Sequence, residues 1–346
     1  MPAPLLQPPR TLNPEGKPRR VGVELEFHGL DSGAAAELVR GLYGGRIEAV
    51  DAHCHRVEAS RLGAFTVELD SSYAHPDKAG ADKAGTDKAG TDKARTGKSG
   101  PEAGGLADRL KTGLAGIAGG VIGLWMPTEI GAPPLPHDRI AELQPLLDRL
   151  RESGAAGTRA SPLYAFGMQL NVEIAAREAG YVTRHLRAYL LLSDWLRSEI
   201  RVDPTRRALP YVDPFPRRYA LKVVDPDYDP GLGTLIDDYL ADNPTRNREL
   251  DLLPLFADLD PERLRRHVAV DAIKVKPRPT FHYRLPNSLI DDPDWGGVAE
   301  EWNRWVRVEQ LAADERLLAD TARAYIGHYG DRPLSDWAER IRALLA

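Results

Sequence analysis

Several segments of this sequence alternate apolar and polar residues with the two-residue period of a β-strand whose two faces meet different surroundings. The first is GVELEF, residues 22–27, in which three apolar residues would share one face and Glu24 and Glu26 the other. Acidic residues are unfavourable in strands, and like charges repel. A single pair of this kind is more often an ordinary solvent-exposed strand face than a metal site, so its recurrence decides between the two.

The alternation recurs in three later segments, TVELD (66–70), YAFGMQLNVEI (164–174) and TFHYRLP (280–286). Each has an apolar side suited to packing against helices. The polar sides carry Glu68 and Asp70, then Gln169, Asn171 and Glu173, and finally His282 and Arg284. If these strands share one sheet, the polar sides converge. Clustered carboxylates repel unless cations neutralise them, and oxygen-rich clusters suit Mg²⁺ or Mn²⁺. The pattern therefore predicts that Glu24 and Glu26 hold a divalent cation against a phosphate.

The order of the predicted elements favours an α+β fold over repeated βαβ units. Strands do not alternate regularly with helices, so we expect a curved, mostly antiparallel sheet with one polar face and with helices on the other. Helical patterns cover residues 34–42, 106–118, 138–153, 181–201, 234–241, 246–258, 261–268 and 298–325, the last as one long helix. The segment RRYALKVV, residues 217–224, is interpreted as a strand with Arg218 and Lys222 on one face.

The domain organisation follows from local composition. Residues 1–19 are rich in proline and predict a flexible arm, and residues 20–346 predict a single catalytic domain. Residues 75–102 contain a five-residue repeat, DKAG plus one variable position, and no large apolar side chain. Such a segment buries too little apolar surface to offset its ordering entropy, so we expect a disordered insertion in a surface loop.

The totals exclude several classes of protein. A net charge of −5 gives no strong basic field for nucleic acid. A single cysteine, Cys54, cannot form an intrachain disulfide and suits a reducing compartment. The N-terminus lacks the apolar run of a signal peptide, and the longest uncharged run, residues 113–128, is too short to span a bilayer comfortably. We expect a cytoplasmic protein without nucleic-acid or membrane partners.

The sequence resembles the amidoligase family, whose members are relatives of glutamine synthetase and glutamate–cysteine ligase. RRVGVELEF is similar to the family's opening strand, TVELDSS to its acidic strand, and EIGAPPL, which contains Glu129, to an acid before a proline-rich turn. GMQLNVE and TFHYRLPNS have the frames of two later strands, and the order matches across residues 20–310. Gln169 and Asn171 stand where the family usually has histidines, and His282 stands where it usually has a metal-binding glutamate.

The resemblance implies a glutamine synthetase-like catalytic domain that joins a small-molecule or peptide carboxylate to an amine. The reaction would use ATP and Mg²⁺ or Mn²⁺ and pass through an acyl phosphate. A first cation would rest on Glu26, Glu68 and Glu129, and Glu24, Gln169 and His282 complete the predicted metal ligands. Glu26 and Arg284 are the expected catalytic residues, with Arg284 contacting the transferred phosphoryl group. Arg218 and Lys222 are further candidates for binding phosphate or the carboxylate substrate.

Two alternatives stay open on the sequence. The substitutions at positions 169, 171 and 282 lower the charge at a second metal position, and they favour a non-catalytic homologue that binds a nucleotide or a peptide. The same acids could also serve a metal-dependent hydrolase that needs no ATP. The apparent phosphate-binding loop RTGKSG fails the P-loop pattern because Asp92 stands where its first glycine is required.

Overall fold

The strand that carries the paired glutamates, β1 (Arg20–Phe27), lies at the centre of an open antiparallel sheet. The computed structural model describes residues 4–69, 126–158, 166–200, 212–267, 275–330 and 336–345. The other strands are β2 (Arg46–Ala49), β3 (Cys54–Ser60), β4 (Gly63–Leu69), β5 (Thr128–Gly131), β6 (Leu135–Pro136), β7 (Met168–Glu173), β8 (Leu250–Asp251) and β9 (Thr280–Tyr283). Their order across the sheet is β2-β3-β4-β5-β1-β7-β9-β8, and β6 pairs with the start of β1.

Helices complete the α+β fold. They are α1 (Ser32–Tyr43), α2 (Gln144–Glu152, preceded by a 3₁₀ turn at Ile140–Leu143), α3 (Ala179–Ile200), α4 (Arg217–Val224), α5 (Leu232–Asp242), α6 (Leu253–Leu259), α7 (Pro261–His267), α8 (Gly297–Ala313), α9 (Glu315–Gly330) and α10 (Trp337–Leu345). In the part of the chain that the structure describes, no helix is both long and apolar enough to cross a membrane.

The apolar side of the sheet packs against helices, as the alternation predicts. The apolar residues of β1 are almost fully buried in one hydrophobic core with those of β7 and β9. Tyr283 of β9 contacts Trp305 of α8 and Tyr189 of α3, with ring centroids 5.5 and 5.9 Å apart. At the other end of the sheet, α1 packs against β3 and β4. The helices therefore cover the apolar face, and the predicted α+β class is confirmed.

The segment RRYALKVV was wrongly predicted as a strand, because it forms helix α4. Its buried residues are Tyr219, Ala220, Val223 and Val224, a spacing that places them on one side of a helix. Alternation over a few residues hid this longer period.

Two other boundaries also differ from the sequence prediction. The single helix predicted over residues 298–325 is two helices, α8 and α9, separated at Asp314, whose carboxylate accepts a hydrogen bond from the Leu317 amide at 2.9 Å. This is the N-cap contact that starts a new helix. The helix predicted over residues 246–258 instead contains the short edge strand β8 and then α6.

Residues 4–19 contact the domain instead of standing away from it as the predicted flexible arm. Arg19 forms a bidentate ion pair with Glu309 of α8 at 2.7 and 2.8 Å, and both side chains are at most 2% exposed. Nearer the N-terminus, the Leu6 carbonyl accepts a hydrogen bond from the indole N–H of Trp302 at 3.0 Å. The predicted insertion at residues 75–102 and the predicted helix at 106–118 lie outside the described residues.

We expect Glu309→Ala to lower the free energy of unfolding by about 3–5 kcal/mol, because it leaves the Arg19 charge buried without its partner. Equilibrium urea unfolding measures this. The control is Glu37→Ala, which breaks the exposed Arg40–Glu37 pair on α1 and should cost less than about 0.5 kcal/mol. Equal losses in the two variants would contradict the prediction.

His185 of α3 should make stability depend on pH. Burial lowers the pKa of His185 to about 4, although the nearby Glu309 acts in the opposite direction. In the unfolded chain the pKa is about 6.5, so the unfolded state takes up a proton first as pH falls. The free energy of unfolding is therefore not reduced by His185 above pH 6.5, and it decreases as pH falls from 6.5 to 4. Between pH 7 and 5, wild type should lose about 2 kcal/mol more than His185→Leu in urea unfolding. Parallel pH profiles would refute this.

Candidate functional site

The polar sides of β1, β7, β9 and β8 meet on the face of the sheet opposite the helices. Glu24 lies directly across from Gln169, and His282 lies directly across from both Asn171 and Asp251. Directly opposed residues of antiparallel strands have their Cβ atoms roughly 5 Å apart. The predicted convergence of the polar side chains of β1, β7 and β9 is therefore present.

Glu26 is buried and accepts hydrogen bonds from β7 and the residue before it. One carboxylate oxygen accepts from the Gly167 amide at 2.7 Å, and the other accepts from Nε2 of Gln169 at 3.0 Å. A buried carboxylate needs such donors, because losing its hydration would otherwise be costly. The amide at position 169 thus supplies a donor to the acid that projects from the neighbouring strand.

A chain of polar contacts continues from Glu26 to the edge of the sheet. Oε1 of Gln169 lies 2.7 Å from Nε2 of His282, and Nδ1 of His282 lies 3.4 Å from Oδ2 of Asp251. Because Gln169 uses its NH₂ group towards Glu26, its carbonyl oxygen faces His282, which assigns a proton to Nε2 of the imidazole. Burial lowers the pKa of His282, and the hydrogen bond that Nδ1 of the protonated ring donates to Asp251, together with the Glu24 charge, opposes this shift without reversing it.

Asp251 ends this chain in a fully buried position. Its Oδ1 accepts from the Leu253 amide at 3.0 Å, and its Oδ2 lies 3.2 Å from Nε of Arg246. Burial raises the pKa of Asp251, but the His282 hydrogen bond and the charges of Arg246 and Arg284 lower it by more, so the pKa is below its usual range. Asp251 is therefore a carboxylate at neutral pH.

Glu24 has a separate set of partners. Its Oε1 accepts from Nδ2 of Asn171 at 3.0 Å and from Nη1 of Arg278 at 3.1 Å, and its Oε2 lies 3.8 Å from Nε2 of His282. Burial raises the pKa of Glu24, whereas His282 and Arg278 lower it by more, with further lowering by the hydrogen bonds from Arg278 and Asn171. Since the guanidinium keeps its charge at any ordinary pH, Glu24 stays ionised.

A row of carboxylates crosses the other half of the polar face. Glu68 lies directly across from Glu129, and Glu129 lies directly across from Glu26, so three acids occupy neighbouring strands in register. Strand β5, which carries Glu129, was not predicted from the sequence. Glu129 was expected only to precede a proline-rich turn. Carboxylate oxygens are the ligands that Mg²⁺ and Mn²⁺ prefer. Within the described ranges, however, no three His, Cys, Asp or Glu side chains converge as a ready metal site.

The fit to a divalent cation therefore differs between the two halves of the face. Glu26, Glu68 and Glu129 match a cation in donor type and in register, and side-chain rotation would be needed to bring their oxygens together. Gln169 and His282 are engaged with Glu26, with Asp251 and with each other, and Glu24 is engaged with Arg278 and Asn171. These three predicted ligands do not fit a second cation in this arrangement.

Arg284, the predicted phosphoryl contact, lies immediately after β9 and beside the edge strand β8. Its Nη1 donates to the Arg246 carbonyl, and its backbone N–H donates to the Glu249 carbonyl at 2.9 Å. Its charge contributes to lowering the pKa values of both Asp251 and His282. The structure therefore places Arg284 near the His282 end of the polar chain, with β7 between it and β1.

Arg218 and Lys222 do not join the polar face, because the strand that was predicted to carry them there is helix α4. Arg218 pairs with Asp242, and Lys222 pairs with Asp238 at 2.6 Å, so both contact acids of α5. Helix α4 packs against α3, which itself covers the apolar side of the sheet. We therefore withdraw both residues as candidates for this face.

Arg278, Asp251 and Arg246 belong to the polar network and were not identified from the sequence. Arg278 has the same parity as His282 in the chain, so extending the alternation four residues backwards would have placed it on this face. Asp251 and Arg246 lie in a stretch that was interpreted as a helix, and a two-residue strand is too short to show a period.

A comparison with protein families assigns the chain. Residues 17–307 match the model of a family described as "Putative amidoligase enzyme". The match covers most of the chain, which therefore belongs to this amidoligase family. Membership supports an amide-forming ligase in general, and it confirms the resemblance noted in the sequence. No curated protein and no solved structure gives a significant match, so the likeness to the glutamine synthetase fold stays a prediction.

Replacing Gln169 by leucine should destabilise the protein by about 2–4 kcal/mol, because Glu26 and His282 would each lose a buried partner. Equilibrium urea unfolding is the measurement. Gln310→Leu is the control. Gln310 is half-buried on α8, and its side-chain oxygen accepts a hydrogen bond from Arg307 at 3.2 Å. That change should cost less than about 1 kcal/mol. A loss at Gln169 no larger than at Gln310 would show that the polar chain contributes little.

Proposed function

We propose that this protein is an ATP-dependent carboxylate–amine ligase, which forms an amide or peptide bond through an acyl phosphate. The observation that supports this proposal is the polar face of the sheet, in a chain that belongs to the amidoligase family. Three carboxylates on β4, β5 and β1 lie in register on one half, and arginines lie on the other half. Such a face offers a negative region for a cation and a positive region for the oxyanions of a substrate.

The proposed reaction has two steps. A carboxylate oxygen of the substrate attacks the γ-phosphorus of ATP, the bond between that phosphorus and the bridging oxygen breaks, and ADP leaves with the electron pair. The amine nitrogen then attacks the acyl carbon, the carbon–oxygen bond to phosphate breaks, and the nitrogen loses a proton. Activation is needed because a free carboxylate is a poor electrophile, whereas phosphate is a good leaving group.

Residues of this chain would chiefly position the reactants and supply electrostatic stabilisation, as in other phosphoryl transfers. Glu26, Glu68 and Glu129 would hold one Mg²⁺ or Mn²⁺, and the cation would neutralise charge on the phosphates. The Gly167 and Gln169 donors fix the carboxylate of Glu26. Arg284 is proposed to face the transferred phosphoryl group from the β9 side. ATP, the cation and the ligation step are all parts of this proposal.

A catalytically inactive homologue is the second candidate. It is favoured by the hydrogen-bonded chain at Gln169 and His282, which occupies the position of a second cation with neutral or singly charged groups. Such a protein would bind a nucleotide or a peptide on the same polar face without turnover.

We expect Glu26→Gln to lower substrate-stimulated phosphate release from ATP by at least about 100-fold, because it removes one of the three in-register charges. The assay combines Mg²⁺ or Mn²⁺ with pools of amino acids and short peptides. Glutamine at position 26 still offers an acceptor to the Gly167 amide, and circular dichroism establishes that the variant folds. Glu37→Gln, on the exposed face of α1, is the control and should behave as wild type.

Each result separates the candidates. A Glu26→Gln rate equal to wild type would refute the proposed role of the carboxylate row. No release from any pool, in a protein whose melting temperature rises with Mg²⁺-ATP, would favour the inactive homologue, since a ligand that binds only the native state raises that temperature. An amide product that forms without ATP would refute the ligase.

A further inference from the structure

Arg278 lies on the polar face two residues before β9, and nothing in the family resemblance assigns it a role. Its backbone N–H donates to the Pro254 carbonyl at 3.0 Å, which fixes the lead-in to the strand. Its side chain reaches across β7 to Glu24 of β1, at 3.1 Å. The guanidinium thus stands over the centre of the sheet, with 41% of the side chain exposed to solvent.

Two neighbouring strands hold this guanidinium in one orientation. Nη1 of Arg278 donates both to Oε1 of Glu24 at 3.1 Å and to Oδ1 of Asn171 at 3.0 Å. Nδ2 of Asn171 in turn donates to the same Oε1 of Glu24 at 3.0 Å. The three groups form a closed triangle of hydrogen bonds, so little side-chain freedom is left to lose when a ligand binds.

The triangle uses only one of the three nitrogen atoms of Arg278. Among the described residues, every hydrogen bond and ion pair of its side chain passes through Nη1. A guanidinium carries five N–H donors in a planar fork that matches the oxygens of a carboxylate or a phosphate. The donors on Nε and Nη2, on a partly exposed group, are therefore available to an oxyanion above the sheet.

The charge around Arg278 suits an anion. On the β9 and β8 side of the polar face, Arg278 pairs with Glu24 and Arg246 pairs with Asp251, whose pKa is also lowered by the charge of Arg284. On the β4, β5 and β1 side, three glutamates are neighbours in register. Arg278 thus belongs to a group of arginines beside the row of glutamates, an arrangement that fits a substrate oxyanion next to a cation.

We propose that Arg278 binds an oxyanion of the substrate, a carboxylate or a phosphate, through the edge of the guanidinium that faces away from Glu24. Glu24 and Asn171 act as positioning residues that hold the guanidinium for this contact. The assignment deepens the proposed ligase function and rests on it for the identity of the substrate, while anion binding itself can be measured without ATP or metal. It also gives Glu24 a role other than that of a metal ligand.

The test is binding of inorganic phosphate and of acetate, each measured separately by equilibrium dialysis in the presence of EDTA. The proteins are wild type, Arg278→Met and Arg278→Lys. The control is Arg61→Met, because Arg61 is similarly exposed and pairs with Glu142 at the same 3.1 Å, but it stacks on Tyr43 away from the polar face. Circular dichroism establishes that each variant folds.

We expect Arg278→Met to weaken the binding of at least one anion by about 10-fold or more, while Arg61→Met changes neither by more than about twofold. Arg278→Lys keeps the charge without the fork and should fall between wild type and Arg278→Met. Loss for phosphate alone identifies a phosphoryl contact, and loss for acetate alone identifies a carboxylate contact. If Arg278→Met does not fold, the lysine variant alone decides, and wild-type affinity for both anions in that variant would overturn the assignment.

Other outcomes separate this inference from the ligase proposal. No measurable binding of either anion to wild type, or equal binding by Arg278→Met and Arg61→Met, overturns the role of Arg278 whatever the enzymatic activity. An inactive protein that binds phosphate through Arg278 favours the inactive homologue and retains the anion site. An active ligase whose KM for both ATP and the carboxylate is unchanged in Arg278→Met retains the ligase and refutes the anion site.

Discussion

The structure depends on supplying hydrogen-bond donors to two carboxylates that lie on its central strand. β1 has neighbours on both sides, and its apolar side is committed to the core, so Glu24 and Glu26 can project only onto the polar face. A carboxylate in that position, largely removed from water, is stable only with hydrogen bonds or cations. The amides of Gln169 and Asn171 and the guanidinium of Arg278 meet this need, each reaching β1 from the β7 and β9 side. The polar pattern of β7 is thus explained by the acids of β1.

Among the described contacts, the donors to Glu24 and Glu26 come from the β7 and β9 side of β1, and the acids in register with Glu26 lie on the other side, which gives a charge gradient across the face. Donors crowd the β7, β9 and β8 side, whereas on the other side Glu26 meets Glu129 and then Glu68. Directly opposed like charges cost stability, so such a row is retained only where something else benefits from it. A cation beside a positively charged anion site would balance both halves at once. The gradient is therefore the physical link between the fold and the proposed chemistry.

The sequence predicted those parts of the fold whose signal is local and periodic. The faces of β1, β7 and β9 follow from alternation, and α3 follows from a long amphipathic stretch. The sequence did not reveal elements that are too short to show a period, or contacts between residues that are far apart in the chain. Strand β8 has two residues, so Asp251 had no visible period, and α4 has eight, too few to separate a helical spacing from an alternating one. The Arg19–Glu309 pair joins residues 290 positions apart, and no local pattern reveals such a partner.

Gln169 and His282, two of the three residues that depart from the pattern implied by the resemblance, are matched to each other as acceptor and donor. A histidine at position 169 and a glutamate at position 282, the pair that the resemblance implies, could form the opposite contact, with the histidine as the donor. Here Gln169 must donate to Glu26, so its carbonyl oxygen faces position 282. A glutamate there would set two acceptors 2.7 Å apart, whereas His282 places a donor against that oxygen. Compared with such a histidine–glutamate pair, this contact runs in the opposite direction and carries one negative charge fewer. Arg278 keeps its charge at any ordinary pH and contacts Glu24 and Asn171 through Nη1 alone, which is why we place the oxyanion there and a single cation on the opposite half.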